Sequence, residues 1–558
     1  MAAIKIPTFG GLFPQVSPRL LPDTAATIAS NARLDTGRLS SWRAPLIISD
    51  HNNAIFAVPG TTKTIFKHRD RQGNGYWLIW NTEVHAVPSP IAEDPWDRLY
   101  WTGQTFPRMA IGTEVASSAY PSYQPSSSRK LGVTAPAASP VSALTTDGTD
   151  DSTPLSRSYL YAWVSGLGEE GQPSPASNIL EVKSGGTVTL TFAESAPSYI
   201  YNTGGQPARR RIYRTNINGE YQFVADIAST ATTYADNKLD ENLGELVPTA
   251  EWDAPPDDNG GDHPDGPMIG LTAMPNGMLA GFSGRSVFFA EQYLPHAWPR
   301  AYSLTTKSKV VGLSSISIGL MVMTQGKPVL MTGSAPGGMS AVEIDSNQAC
   351  VSTRSIADMG EIAIYASPDG LVAAGENGVQ LITEGIFTRD QWQALKPESI
   401  HGYHYEGRYI FFYDTGTVKG GYVMDGRSQT PELVTLDFHA LAGFNDPLDD
   451  ALYLLVTDVT GTNVRKFDAG ALLTYTWQSK ELRLEKPINP SCAIVDAEAY
   501  PVTFTIYADG VQKYQYAAPN GNMFRLPAGY LAKEFQLRLS GTGAVNAVMV
   551  AESPEEFQ

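Results

Sequence analysis

The chain has 558 residues, 42% of them hydrophobic and 17% charged, and carries a formal charge of −17 at neutral pH. That length exceeds one hydrophobic core and predicts three or four domains of ~150 residues, unless a repeat architecture merges several of them. The composition excludes a disordered chain, the acidity argues against tight binding of phosphates, and 51 Gly with 39 Pro predict many turns and few helices. Two cysteines, Cys350 and Cys492, lie far apart in apolar contexts and predict buried free thiols. The opening MAAIKIPTFGGLF lacks a leader pattern, and no window approaches the ~18 apolar residues of a membrane span, so a soluble protein made in a cytoplasm is expected.

In chain order, the first predicted element is a helix over AATIASNARLDTG, capped by Asp23 or Thr24, favoured by its alanines and ended by Gly37. From Ile55 the pattern turns to strands. TKTIFKH, the turn RDRQGNG, YWLIWN and TEVHAVP predict neighbours in one sheet, and an aromatic stretch from Pro95 to Pro107 ends that block. Ser117 to about Asp151 is rich in Ser, Pro, Ala and Thr and predicts an extended linker. Arg157 to about Asn237 predicts a separate β unit, with TVTLTF alternating cleanly and a hairpin around Asn218-Gly219. It resembles a fibronectin type III or immunoglobulin-like sandwich of about 100 residues, with Trp163 and Tyr213 in its core.

The acidic connector WDAPPDDNGGDHPDGP (Trp252 to Pro267) leads into the most informative run. From Asn276 to Trp392, short segments rich in Val, Ile, Met and Phe are cut by NG, SG, QG, DG and NG, which predicts successive hairpins. Hairpins continue to about Phe467, and units of about 40 to 50 residues suit four-stranded propeller blades. WD-repeat and kelch signatures are absent, so that expectation rests on strand rhythm. From Tyr475 the chain predicts a second sandwich-like unit with a hairpin turn at Asp509-Gly510. The expected class is therefore all-β: a β-propeller core, an inserted fibronectin III/Ig-like sandwich and a C-terminal β-sandwich-like domain. The expected divisions are 1–116 (N-terminal helix/turn segment and first propeller strands), 117–250, 251–470 and 471–558.

Motifs for chemistry are weak. Gly166 to Gly171 matches G-x-G-x-x-G, but GQPSPAS follows where a phosphate-binding helix would have to start, so a hairpin turn is expected. His401 and His404 form H-x-x-H, which in a strand point to opposite faces. The loop Asp257, Asp258, Asn259, Asp262, His263 and Asp265 could hold an adventitious calcium ion, but it lacks the EF-hand order and its final Glu, so a solvated linker is expected. The pairs Asp150/Asp151, Asp257/Asp258 and Asp449/Asp450 lie in polar turns where nothing raises one pKa. No nucleophile elbow occurs, and Ser367-Pro368-Asp369-Gly370 does not fit a sialidase Asp-box. Arg209-Arg210-Arg211 reads as a solvated strand edge. No catalytic residue, cofactor or metal is expected.

The segment PTFGGLFPQVSPRLLPDTAATIASNARLDTGRLSSWR resembles the N-terminus of tail proteins of short-tailed, podovirus-type bacteriophages. AEQYLPHAWPRAYSLTT, NQACVSTRSIADMG and YASPDGLV resemble the middle of the same proteins, with Tyr293 and Pro295 to Pro299 the most specific phrase. The family is the tail nozzle, or tail tubular protein B, and the resemblance covers most of the chain outside the inserted sandwich near 134–250. It implies a virion structural protein in the distal tail tube, a homohexameric ring below a tail adaptor ring, with genomic DNA passing down the axis. Tail fibre, spike or needle proteins and the host surface would be its other partners. Six copies at −17 would form a collar of about −102; an acidic wall gives a polyanion nowhere to stick, which suits a conduit. Two other readings stand beside it. A receptor- or glycan-binding propeller would use loop aromatics such as Trp96, Tyr100 and Trp101; a polysaccharide-degrading enzyme would need a carboxylate pair in a groove.

Overall fold

The computed structural model describes residues 4–49, 56–118, 122–148, 153–426 and 432–557. The protein is all-β, and its propeller follows from how each strand uses its two faces. Strands such as Gly319–Thr324 and Arg408–Asp414 are buried on both sides, which explains their unbroken apolar runs. Leu320 and Val322 pack against Phe282 and Phe289 of the preceding sheet, whereas Met321 and Met323 pack against Tyr365 and Val372 of the following one. The same alternation splits Tyr409 and Phe411 from Ile410 and Phe412, and Trp77 and Ile79 from Leu78 and Trp80.

Among the described residues, seven antiparallel units are joined in this way by seven apolar cores, and the seventh core returns to the first unit. Blade I is the hairpin Thr64–Arg69 and Gly75–Trp80, with the main chain of Tyr123 accepting from Ile79 N–H at its outer edge. Blades II to VI are four-stranded meanders over 85–130, 269–305, 310–343, 357–381 and 401–436. Blade VII takes Ala440–Asp446, Ala451–Asp458 and Gly461–Lys466, and its fourth strand is Leu46–Ile47 from the other end of the chain. Main-chain bonds from Ala44 to Ala471 (2.7 Å), Ile48 to Val464 (3.2 Å) and Leu473 to Trp42 (2.8 Å) complete this clasp. His85–Pro88, expected beside YWLIWN, instead begins blade II, because both faces of Gly75–Trp80 are already covered and the turn after it carries the chain to the next blade.

The predicted helix near the N-terminus is not formed. Ala26–Ser30 and Ala32–Arg33 are strands, and Ala25, Ala26, Ala29 and Ala32 are each 1% exposed. The alanines are there to let two sheets approach, an office that periodicity alone does not separate from helix propensity. Gly37, expected to end that helix, instead lies in a turn between strands, with φ of +76°. Ser30 pairs in parallel with Thr435 of blade VI, while Ala26–Ser30 pairs antiparallel with Tyr475–Ser479. Blade VI therefore continues without a break into the C-terminal sandwich as one ten-stranded sheet. The opposing sheet of that sandwich includes Ile4–Ile6 paired with Val545–Ala551, so the N-terminal segment belongs to the C-terminal unit. Its core gathers Phe9, Trp477, Phe504, Phe535 and Leu537. The hairpin at Asp509-Gly510 has the two positive φ values, 47° and 76°, of a type I′ turn.

The inserted unit packs Val141–Thr146, Thr187–Thr191 and Thr233–Asp236 against Tyr159–Val164, Arg209–Thr215 and Tyr221–Ala228. The stretch expected as a linker thus supplies the last strand of blade II, Arg129–Lys130, and the first strand of the insert. Trp163 lies in the sandwich core as expected, whereas Tyr213 is buried on the other face of its sheet, against Phe223 and Glu170. Arg210 is not at a solvated edge: it is 1% exposed and lies over the rings of Tyr161, Trp163 and Phe192 at 4.1 to 5.0 Å. Arg211 pairs with Asp226 (2.8 Å) and Glu170 (2.8 Å), and Arg209, the most exposed of the three, also reaches Asp226 (3.3 Å).

Candidate functional site: the propeller axis

The inner strands leave an axial funnel of about 650 Å³ between blades I, II, V, VI and VII. Its position is set by backbone clearance. Gly443 and Gly402 face Tyr403 and Tyr409 so closely that an added Cβ would collide with the Tyr403 ring and with the Tyr409 hydroxyl. Arg354, on the turn Thr353–Ser355, reaches across the axis. Its guanidinium donates to the carbonyl oxygens of Lys63 (3.2 Å) and Leu441 (2.6 Å), tying blades I and VII to the segment that enters blade V. His401 stacks on Phe412 with ring centroids 5.5 Å apart, shares a hydrogen bond with the Tyr403 hydroxyl (2.9 Å), and meets His439 edge-on at 5.9 Å.

Burial and the positive charge of Arg354 set the protonation of this cluster. Burial holds His401 well below the ordinary imidazole range, with Arg354 adding to the effect. Burial and Lys419 bring His439 down to about 4. Burial also pushes the Tyr403 phenol up to about 12 and the Cys350 thiol up to about 12, so neither supplies a nucleophile near neutral pH. At the mouth, Asp446 is held by Arg69 (2.7 Å) and Lys67 (3.4 Å), and Glu406 by Arg33 (2.7 Å) and Arg408 (3.0 Å). The funnel is a mixed-charge cavity in the size range of small-molecule sites. Duplex DNA, whose major groove alone is ~12 Å wide, does not fit it.

Other sequence features fall into structural roles. His401 and His404 point to opposite faces of one strand: His401 is buried, and His404 accepts from Gly407 N–H (3.0 Å) at the funnel wall. The G-x-G-x-x-G segment is the turn by which the insert docks on the propeller. Glu169 meets Arg98 (2.9 Å), which also binds Asp94 (2.7 Å), and all three side chains are at most 7% exposed. Glu170 accepts from Tyr213 (2.6 Å). Trp298 is 1% exposed, donates to the carbonyl of Pro295 (2.8 Å), and anchors the core between blades II and III. Asp257 and Asp258 are paired with Lys130 (3.1 and 2.9 Å), and Asp449 with Lys67 and Arg69. The pair Asp150/Asp151 lies outside the described residues. Among the described residues, no three His, Cys, Asp or Glu side chains are placed to hold a metal ion, and no helix is long and apolar enough to cross a membrane.

Tyr100 and Trp101, expected on loops, are 0% and 1% exposed within blade II, and Trp96 is half-buried against Tyr201. Their strand, Leu99–Thr102, is buried on both faces, which an aromatic-rich stretch bounded by prolines concealed. Sequence reasoning missed Arg354; its only signal was a lone cation between small polar residues just ahead of a strand.

No family model matches the chain, and no curated protein does. Among solved structures it is similar to dihydro-heme d1 dehydrogenase NirN in complex with DHE, at 9% identity and a TM-score of 0.24, over 70% of this chain and 79% of that one.

Proposed function

We propose that the chain is a virion structural protein, the nozzle at the distal end of a short tail, acting as a ring that retains and then conducts DNA. The observation that supports this reading is where the nozzle-like phrases sit. The segment 7–43 threads Phe9 against Trp477 (4.9 Å), joins blade VI to the sandwich and delivers Trp42 to the clasp. The phrase 293–299 makes the joint between blades II and III, and 347–360 supplies Arg354. These phrases thus carry fasteners of the fold, which a family sharing this architecture would have in common. An axis tied together by paired charges suits a scaffold. The funnel excludes duplex, so in this reading DNA runs along the axis of a ring of six copies, between subunits and past acidic surface, with the adaptor ring above. Particles assembled without this chain would then fill with DNA and lose it, and supplying the chain in trans would restore retention. Stable, infectious particles lacking the chain would overturn the proposal.

A further inference from the structure

With Tyr100 and Trp101 buried and Trp96 half-buried, the most exposed aromatic residue among the described ones is Tyr293, at 50%. Its backbone is in the left-handed region, φ +58°, which a bulky side chain rarely adopts. Two features hold it there. Tyr293 N–H donates to the carbonyl of Gly277 (3.0 Å), and the ring lies directly on Gly277, where an added Cβ would be 2.4 Å from the ring carbons. Gly277 itself has φ of +71°. The ring therefore packs on a glycine backbone, while half of the residue's surface stays open to solvent.

The surroundings are polar. The amide nitrogens of Asn276 and Gln292, the residues next to Gly277 and Tyr293 in the chain, both donate to the carbonyl of Ser334 (3.3 and 3.2 Å), which holds the two side chains together and leaves their oxygens as acceptors. Beyond them Gly338 has open space where a side chain would be. A protein hot spot would sit in a desolvated apolar pocket. An exposed ring on a left-handed backbone, with amide side chains on the neighbouring residues, suits a ligand that is apolar on its face and hydroxylated at its edge. The negative face of an aromatic ring attracts the weakly positive C–H groups of a sugar, and stored backbone strain at an exposed residue points to function.

We propose that Tyr293, with Asn276 and Gln292, forms a binding platform for a hexopyranose unit of a surface glycan. This does not rest on the nozzle reading. The test is saturation-transfer NMR on the full chain with methyl glycosides of glucose, galactose, mannose and N-acetylglucosamine at millimolar concentration. At least one sugar should receive saturation through its ring C–H protons. Tyr293→Asn suits the left-handed backbone, so it should fold and lose at least tenfold in signal, while Tyr293→Trp should keep it. Gly277→Ala, which displaces the ring, should behave like Tyr293→Asn. Absence of transfer to every sugar, or equal transfer to Tyr293→Asn and the parent, overturns the proposal.

Discussion

Trp42 is the side chain on which closure of the propeller leans most. It is 1% exposed in the core between blades VI and VII, packs on Phe467 at 5.5 Å, and carries Arg33 and Arg408 over its ring at 4.7 and 5.3 Å. Its carbonyl accepts from Leu473 in the clasp. Burying a Trp removes ~150–250 Å² from water, roughly 4–6 kcal/mol at ~25 cal/mol per Å². The measured range for Trp→Ala in cores is ~3–5 kcal/mol, and the two stacked guanidinium groups add about 1 kcal/mol because their ion pairs survive. Trp42→Ala should therefore cost the propeller about 4–5 kcal/mol. Trp42→Phe should cost only about 1–2 kcal/mol, since the indole N–H has no partner to lose. Hydrogen exchange is the assay, because a chain of several units does not unfold in one step. Amides at 44–48 and 462–466 should lose protection in Trp42→Ala, while Tyr159–Val164 and Arg209–Thr215 in the insert keep theirs. A loss below about 1.5 kcal/mol at the clasp, or an equal loss in the insert, would refute the reasoning.

Three further outcomes are expected. Arg354→Met removes the two bonds across the axis and should lower stability by about 2–3 kcal/mol, limited because the freed carbonyls of Lys63 and Leu441 can be hydrated; it should also raise the titration midpoint of His439, and an unmoved midpoint by NMR would contradict the placement of that charge. Arg98→Met leaves Asp94 and Glu169 buried without their cation, a loss of about 3–5 kcal/mol, and limited proteolysis should then cut the connectors flanking the insert; unchanged resistance would count against the docking role. Burial holds His68, His296, His401 and His439 below the ordinary imidazole value, so the folded state stays neutral where the unfolded chain takes up protons. Their contribution is fully present above pH ~6.5 and falls as pH drops toward the folded values, with His439 giving about 1–2 kcal/mol once solvent screening is allowed for. Asp358 and Asp468, raised by burial, offset this only at the acid end. The melting temperature should fall steadily from pH 7 to pH 5, and a flat profile there would refute the assignment.

Much of the architecture was legible. Hairpin turns at Gly and Asn, and apolar strands between them, showed the blade rhythm from Asn276 to Phe467, and inner strands starting at Ile269, Val310, Ala357, His401 and Ala440 keep the expected spacing. Blade number was not legible, because it depends on which core each face of a strand joins, and nothing local records that. Pairings such as Leu46–Ile47 with Arg465–Lys466, and Ile4–Ile6 with Val545–Ala551, connect opposite ends of the chain and leave only short apolar pairs as their trace. Small alanines that serve close sheet packing looked like helix. At the axis, Arg354 earns its place through two carbonyls on distant blades, a role that has no sequence signature. Tyr293 was visible as part of a phrase, but its exposure follows from Gly277 lying beneath it.

The nozzle reading is tested most directly by cryo-electron microscopy of intact particles carrying this chain. The account predicts six copies around a DNA-filled axis at the tip of the tail, each seven-bladed, with the duplex running between subunits. Particles without the chain at the tail end, or with it attached at the periphery away from the DNA axis, would contradict it.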